Sequence, residues 1–579
     1  MPPPPRQWIE SGSPRSPLWI IAEAPGYEEV REGRPLCGPS GRELDKLLSE
    51  AGWPTSLISS AFRTNICHER PPSYVNRQGQ TIRDNIDQWF PGKLSAKRLG
   101  LPLDRGRYPA PPIQQGLARL AAHLAIHRPQ LIILLGGSSL WGLCGKEGIT
   151  KWRGSVLPGP DGIKTICTLH PAIIVDPSKG QYTYRPIILQ DLRRALREYQ
   201  LGPSIRVPPW NFLTEPTLPQ VRDWLTPLAE AQAPLVCDTE GWGVVDCIGF
   251  ARSDTEALCV PLARGTGESY WSLDEEVEVF ALLHRTLTRC PLTFHNALWD
   301  LQVIANQWRF MPLLADDTMV AQHCAFPGLL GGRIDPVTGR TDKRGSSLSL
   351  SFCSSMYCDI YSYWKDDGRL RDLVTDDASF WRYNCEDCVR TWEVRSNLVD
   401  RILPSASLVP QYRFLMSLFG PVLKAMFRGV RLDPSRVESL RRSMALDRLR
   451  QQDWLDTVLG YRLNVHRTDR GGQMQALFYE DLGVTHIRDR KTRQLTLNDD
   501  ALELIAKREP LLVPLVRSIQ NIRSLDTNDA NMIQPALRAG DRLRTCLNIA
   551  GPETFRFSSN ETAFGEGTNL QNIQRPPSD

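Results

Sequence analysis

The sequence predicts an α/β protein of several domains, for three reasons. The chain has 579 residues, too many for one hydrophobic core, and this length predicts about three or four domains. Residues 17–200 alternate short apolar runs with helical patterns, which is typical of a parallel sheet covered by helices. Beyond about residue 410, long charged helical stretches such as 437–459 and 500–525 dominate.

Composition predicts a folded protein without a membrane span. A hydrophobic content of 41% with 23% charged residues is that of a folded globular protein. No long uninterrupted apolar segment predicts a membrane span, and Met1 with four prolines after it is not a secretory signal. The 14 scattered cysteines are typical of reduced thiols, so we expect a cytoplasmic protein. A net charge of +4 leaves nucleic-acid binding to local clusters.

The first domain is predicted over residues 17–200. Apolar runs at 18–22, 131–135 and 165–169 predict buried strands, and the patterns at 43–51 and 116–127 predict helices. Residues 71–112 are rich in Pro, Arg, Gln and Gly and interrupt this alternation, which predicts an insertion or long loop. A cluster of Pro and Gly at 202–209 then predicts a domain boundary.

A second domain is predicted over residues 234–400, after a linker and first helix at 201–233. Asp238 and Glu240 are two residues apart at the end of the apolar run 235–237, so in a strand they share a face. Asn296 and Asp300 are four residues apart, and on a helix such a pair also shares a face.

A third spacing completes this pattern. Tyr383 and Asp387 are also four residues apart and predict another helix face. If the three elements converge, Asp238, Glu240, Asp300 and Asp387 form a carboxylate site for hard divalent cations. Two such ions, Mg²⁺ or Mn²⁺, can activate a water and stabilise the leaving oxygen of a phosphodiester.

These three spacings resemble the motifs of the DnaQ-like 3'–5' proofreading exonucleases, which are Asp-x-Glu, Asn-x-x-x-Asp and Tyr-x-x-x-Asp in this order. The resemblance implies an RNase H-like domain in which the four carboxylates hold two metal ions. It also implies that Tyr383 orients the attacking water. For Asn296 we expect a role in orienting the frayed DNA strand or a ligand carboxylate.

Three pieces of the first domain, at 22–28, 33–41 and 170–172, resemble the uracil-DNA glycosylase superfamily, nearest its family 4 branch. The stretches 64–67 and 135–137 support it in matching order. The resemblance implies that Glu23 handles the attacking water and that Asn65 pairs with the flipped uracil. It implies that His170 stabilises charge on the uracil oxygen.

Two departures separate the first domain from that family. Leu36 stands where the family has an aromatic residue that stacks on the base, and such stacking contributes about 1–3 kcal/mol. Only Cys67 lies near an expected ligand of the family 4 iron–sulfur cluster, so no iron–sulfur cluster is expected. The pocket is therefore either an active glycosylase site or a relic that binds DNA or simply packs.

The C-terminal stretches 426–433, 478–484, 495–498, 554–559 and 569–573 resemble the opening of a family A, DNA polymerase I-like polymerase. The resemblance implies a helical thumb over 410–545 and the start of a palm over 546–579. Arg556, Asn569, Gln571 and Asn572 are suited to donate to phosphates and to minor-groove acceptors of a duplex. We therefore expect DNA as a partner, both primer-template and a single-stranded 3' end.

The metal-binding and nucleotide-binding motifs of family A polymerases are missing from this sequence. Either the chain is a fragment, or a second polypeptide supplies the rest of the palm and the fingers. The order of the three regions resembles certain bacteriophage polymerases. Two alternatives stay open beside an exonuclease: a non-catalytic DNA-binding subunit of a split polymerase, and a repair enzyme that excises uracil.

Overall fold

The structure is a computed structural model. It describes residues 9–71, 74–75, 81–82, 86–175, 182–241, 243–329, 333–334, 341–342, 347–366, 376–466, 468, 472–489 and 495–570. Across these ranges the chain is an α/β protein with two mixed sheets and many helices. No helix found in this part of the chain is long and apolar enough to cross a bilayer.

The N-terminal region forms a three-layer α/β domain. Its strands are β1 Leu18–Ala22, β2 Phe62–Asn65, β3 Tyr74–Val75, β4 Thr81–Ile82, β5 Leu131–Leu135, β6 Val156–Pro158 and β7 Lys164–Thr168. Its helices are α1 Tyr27–Glu32, α2 Pro39–Glu50, α3 Thr55–Ser60, α4 Lys93–Arg98, α5 Pro111–Ile126, α6 Gly137–Cys144, α7 Ile149–Trp152, α8 Ala172–Val175 and α9 Arg185–Gln200.

The main sheet of this domain has the order β2-β1-β5-β7-β6, parallel except for β6. Strand β1 is buried on both faces: Leu18 and Ile20 pack into one core, and Trp19 and Ile21 pack into another. A continuous apolar run is what a strand between two helical layers requires, so the parallel sheet predicted from these runs is confirmed.

The predicted insertion or long loop at 71–112 contains ordered elements in its described part. It contains a 3₁₀ turn at Ile86–Trp89 as well as α4. Ile86 is buried, and the ring of Phe90 lies 5.1 Å from that of Trp141. The apolar residues of this stretch are scattered among polar ones without helical periodicity, so no pattern in the sequence predicted these helical turns.

The middle region is built on a six-stranded sheet of order β13-β12-β9-β10-β11-β8. Its strands are β8 Asn211–Leu213, β9 Leu235–Glu240, β10 Cys247–Ala251, β11 Glu256–Pro261, β12 Leu292–Phe294 and β13 Leu314–Asp317, with the separate hairpin β14 Arg333–Ile334 and β15 Thr341–Asp342. Its helices are α10 Leu218–Ala231, α11 Leu273–Arg289, α12 Ala297–Trp308, α13 Thr318–Ala325, α14 Leu350–Tyr357 and α15 Asp377–Asn397.

Strand β9 lies in the middle of this sheet. It pairs antiparallel with β10 on one side and parallel with β12 on the other. Helix α15 covers one face, where Trp381 and Cys388 pack against Val236 and Cys247. The carboxyl end of β9 therefore meets α15, and residues from both elements can share one site.

The described part of the C-terminal region is helical, with two short antiparallel strand pairs. Its helices are α16 Leu403–Ser405, α17 Val409–Ser417, α18 Phe419–Arg428, α19 Pro434–Leu459, α20 Gln473–Gln475, α21 Asp499–Arg508, α22 Val513–Asn528 and α23 Gln534–Arg538; its strands are β16 Val430–Arg431, β17 Arg542–Leu543, β18 Cys546–Asn548 and β19 Ser558–Asn560. Helices α19, α21 and α22 enclose their own core, whereas Ile549, Ala550 and Ala563 join the core of the middle region.

Candidate functional site

Three of the predicted carboxylates meet at the carboxyl end of β9. Asp238 and Glu240 extend from the same face of this strand, and Asp387 comes from α15. One oxygen of each carboxylate lies within 4.8 Å of the others. Carboxylate oxygens are the ligands that Mg²⁺ and Mn²⁺ prefer, so the donor set fits a hard divalent cation.

The electrostatics of this cluster are those of crowded anions. Burial, reinforced by the charges of Asp387 and Asp300, raises the pKa of the Asp238 carboxyl well above its ordinary value. Burial and the neighbouring Asp238 and Asp387 likewise raise the pKa of Glu240. Like charges held together out of water favour protonation or a bound cation.

Asp300 does not join these three oxygens, which corrects the expectation of four convergent carboxylates. Its Oδ1 accepts hydrogen bonds from the Thr239 backbone N–H at 3.0 Å and from the Thr239 hydroxyl at 2.7 Å. Burial raises the pKa of Asp300 to about 7, against the lowering effect of these donors. The Asp300 side chain lies beside the three carboxylates and holds Thr239, the residue between Asp238 and Glu240 on the strand.

Asn296 is not on the helix face predicted for it. It is the residue before α12 and has a left-handed backbone, with φ of 71°. Asparagine tolerates this conformation better than most residues, and here it turns the chain from β12 into α12. The buried Asp317 carboxylate accepts from the Ala297 N–H at 2.7 Å and so anchors the start of the helix that carries Asp300.

Lys365 is a functional candidate that the sequence analysis missed. Its ammonium donates to the Tyr383 hydroxyl at 2.9 Å and forms an ion pair with Asp387. Burial favours a lower pKa for Lys365, but the facing Asp387, Tyr383 and Glu240 outweigh it and raise this pKa well above its ordinary value. The adjacent Trp364 indole donates to Asp387 Oδ1 at 2.6 Å.

Asn384 and Gly249 set how closely α15 packs against β9 and β10. The Asn384 amide donates to Asp238 Oδ2 at 2.9 Å and to the Asp238 carbonyl at 3.3 Å. Gly249 lies opposite Asp238 in the ladder, where a Cβ would come within 2.7 Å of Cys388 Sγ and closer still to Asn384 Oδ1. Asn384 directly follows Tyr383, so only its position beside a recognised motif could have indicated it.

The predicted glycosylase residues lie at the carboxyl edge of the N-terminal sheet. Glu23 follows β1, Asn65 ends β2, and His170 comes two residues after β7. Glu23 is half-buried, and its Oε1 accepts from the Ser138 N–H at 2.8 Å. Desolvation raises the pKa of its carboxyl, against the lowering effect of this hydrogen bond. It lines a cavity of about 430 Å³ together with Ile86, Asp87, Arg107, Gly137, Ser138, Trp141, Glu147 and Gly148.

Asn65 and His170 do not line this cavity. The Asn65 amide is buried, and neither its nitrogen nor its oxygen has a hydrogen-bond partner among the described residues. His170 Nδ1 accepts from the Ala172 N–H at 3.2 Å. Leu36, in the place of the family's aromatic residue, is buried in the core with a φ of 53°, so it offers no stacking surface.

Of the predicted duplex contacts, Arg556 is exposed and Asn569 is half-buried. Gln571 and Asn572 lie outside the described residues. Phe555, the residue before Arg556, has a φ of 57°, and its ring lies 4.7 Å from that of His323.

Comparison with known proteins identifies relatives of the N-terminal region. Residues 9–193 match the model of the uracil DNA glycosylase superfamily. A type-4 uracil-DNA glycosylase of Thermotoga maritima is 26% identical over 190 residues, which are 32% of this chain and 80% of that protein. The glycosylase resemblance predicted for residues 17–200 is thereby confirmed.

Among solved structures, the polymerase domain of Pol1 from M. smegmatis, in complex with a DNA primer-template and dNTP, matches with a TM-score of 0.44 and 16% identity. The match covers 63% of this chain and 56% of that one, so this chain spans just over half the length of the polymerase domain. The protein thus contains a uracil-DNA glycosylase-like domain at its N-terminus, over residues 9–193 of a longer α/β chain.

Proposed function

We propose that the middle region is a metal-dependent 3'–5' exonuclease that removes nucleotides from a DNA 3' end. The observation that carries this proposal is the meeting of Asp238, Glu240 and Asp387, with one oxygen of each within 4.8 Å of the others. Three carboxylates this close in a half-buried site are costly unless protons or cations neutralise them. Their oxygens suit Mg²⁺ or Mn²⁺, and these three side chains would hold the ions.

Two ions at such a site would supply a nucleophilic water and neutralise charge on the leaving oxygen. Water attacks the terminal phosphorus, the bond from phosphorus to the 3' oxygen breaks, and that oxygen takes up a proton. The products are a nucleoside 5'-monophosphate and a strand shorter by one nucleotide. Tyr383, whose hydroxyl accepts a hydrogen bond from Lys365, would orient the water. Asp300 acts as a positioning residue through Thr239.

The strand arrangement supports an RNase H-like exonuclease domain. An antiparallel pair of strands flanks β9 on one side and parallel strands flank it on the other. Its carboxyl end, where ligands of α/β sheets commonly bind, carries Asp238 and Glu240. The motif order along the chain and this geometry agree.

For the C-terminal region we propose DNA contacts rather than catalysis. Helices α19, α21 and α22 would form the thumb, and exposed Arg556 would meet a phosphate of the primer-template. A second polypeptide with the remaining polymerase motifs would complete a replicative enzyme. The proposed exonuclease would then act as its proofreading activity.

A second candidate function is recognition of uracil by the N-terminal domain. The buried amide of Asn65, without a partner among the described residues, favours it, because a buried amide left unpaired costs about 1–3 kcal/mol. The Thermotoga relative is named a uracil-DNA glycosylase. Incubation with a uracil-containing strand, followed by hot alkali, breaks the strand if excision occurs; an intact strand leaves a DNA-binding role.

The main proposal is tested with a 5'-labelled primer-template in Mg²⁺. The full chain should shorten the primer from its 3' end, Asp238→Asn should abolish shortening, and EDTA should do the same. Asp254→Asn is the matched control, because Asp254 is an exposed carboxylate between β10 and β11. No shortening by the wild-type chain at any salt concentration would reject the exonuclease and favour the non-catalytic DNA-binding subunit.

A further inference from the structure

A single segment, residues 355–366, connects the glycosylase-like domain with the carboxylate site. It leaves the end of α14 and runs to Asp366, and every residue in it is described. One side of the segment bonds to the glycosylase-like domain. Its other side supplies the two side chains that contact Asp387.

The glycosylase-like domain caps the start of this segment. Arg194 on α9 is buried, and its guanidinium donates to the carbonyls of Ser355 and Cys358, each at 2.7 Å. Gln190 donates to the Met356 carbonyl at 3.1 Å. The last carbonyls of a helix lack partners within the helix, so α14 depends on another domain for its C-terminal cap.

The middle of the segment pairs with the residues before and within β6. The Val156 N–H donates to the Tyr361 carbonyl at 2.9 Å, and the Tyr363 N–H donates to Ser155 Oγ at 3.1 Å. The rings of Trp152 and Tyr363 lie 5.0 Å apart. These contacts fix the backbone on both sides of residue 362.

An ion pair secures the end of the segment. Lys151 Nζ lies 2.5 Å from Asp366 Oδ2. Between this ion pair and the strand-like pairing lie Trp364 and Lys365, which both contact Asp387. Because the backbone is held on both sides of Trp364 and Lys365, these two side chains restrict the orientation of the Asp387 carboxylate.

We propose that the glycosylase-like domain positions the exonuclease site by holding the 355–366 segment, with Trp364 and Lys365 as the positioning residues that orient Asp387. This inference rests on the proposed exonuclease function for its kinetic consequence. It gives the N-terminal domain a role that needs no glycosylase chemistry. Loss of the contacts between this domain and the segment therefore impairs the carboxylate site, although the domain contributes no ligand to that site.

The test compares Arg194→Leu with Arg193→Leu in the full chain. Arg193 is the neighbouring exposed residue on the same helix. For Arg194→Leu we expect the turnover rate of primer shortening to fall about tenfold, and hydrogen exchange across 355–366 to quicken by a similar factor, because hydrogen bonds from a charged group are lost. The KM for DNA should stay within about twofold, since the DNA contacts are untouched. A folded Arg194→Leu variant that matches Arg193→Leu in both readouts would overturn the proposal.

If Arg194→Leu does not fold, a double-mutant cycle that reverses the charges of Lys151 and Asp366 tests the proposal instead. Lys151→Glu and Asp366→Lys should each speed exchange across the segment, and the double variant should restore protection. Unchanged exchange in both single variants would overturn the proposal. Hydrogen exchange is measured without metal or DNA, so it tests the contacts of the segment independently of exonuclease activity. If these variants change exchange as expected but the wild-type chain shortens no primer, only the proposed exonuclease function is rejected.

Discussion

Gly249→Ala is expected to inactivate the carboxylate site without touching any carboxylate. Gly249 lies opposite Asp238 on β10, directly beneath α15. A methyl group there would lie 2.7 Å from Cys388 Sγ, whereas ordinary contacts between such atoms are about 3.5–4.0 Å. Helix α15, with Asn384 and Asp387, must therefore retreat by roughly 1 Å, because a close-packed interior has no space to absorb the methyl group.

The size of the effect follows from that displacement. Mg²⁺ holds its oxygen ligands at about 2.0–2.1 Å and tolerates little distortion. A misplacement of about 1 Å can cost roughly 10²-fold in rate, so we expect a fall of that order in the single-turnover rate of primer shortening. Overpacking should also lower the free energy of unfolding by about 1–3 kcal/mol.

The assay combines that rate with Mn²⁺ affinity and urea unfolding. Gly420→Ala is the control, because Gly420 lies in α18 with nothing within 4 Å of the position that an added methyl group would take, and alanine there should be neutral or slightly stabilising. If Gly249→Ala cleaves DNA and binds Mn²⁺ like the wild type, then α15 does not approach β10 as closely as the structure places it, and the reasoning fails.

Three further predictions concern stability. Lys365→Met should destabilise the chain most in metal-free buffer, because there the Lys365 ammonium offsets the charge of the carboxylates. In saturating Mn²⁺ the difference in unfolding free energy from wild type should shrink. An equal difference in both buffers would contradict this prediction. Burial raises the pKa of Glu23 in the folded state, so the folded chain loses stability as pH rises and this carboxyl ionises. Glu23→Gln should therefore unfold at a higher urea concentration than wild type at pH 8, and the difference should close towards pH 4. A difference that widens on acidification would contradict this prediction. Phe555→Gly should be more stable than Phe555→Ala by about 1 kcal/mol, because both lose the ring but only glycine relieves the positive φ, and the reverse order in urea melts would refute the strain.

Local patterns predicted the elements of the site well. The apolar run before Asp238 has the length of a buried strand, and the structure has β9 over Leu235–Glu240. The spacing of Tyr383 and Asp387 predicted a helix, and both lie on α15. Periodicity is a property of neighbouring residues, so it survives folding wherever tertiary contacts agree with it.

Tertiary contacts explain what the sequence could not predict. Asn296 matches a helical spacing but adopts a left-handed backbone ahead of α12, and Asp300 bonds to Thr239 instead of joining the other carboxylates. Lys365 reaches Asp387 only because a distant domain holds its segment, with Lys151 paired to Asp366. Neither Lys365 nor Lys151 belongs to a motif that the sequence analysis recognised, so no pattern of spacing predicted these contacts.

Anomalous diffraction from crystals of the full chain grown with Mn²⁺ tests the proposed metal site most directly. We predict anomalous peaks bonded to oxygens of Asp238, Glu240 and Asp387. Crystals in which Mn²⁺ occupies other sites while these three carboxylates bind none would contradict the proposal.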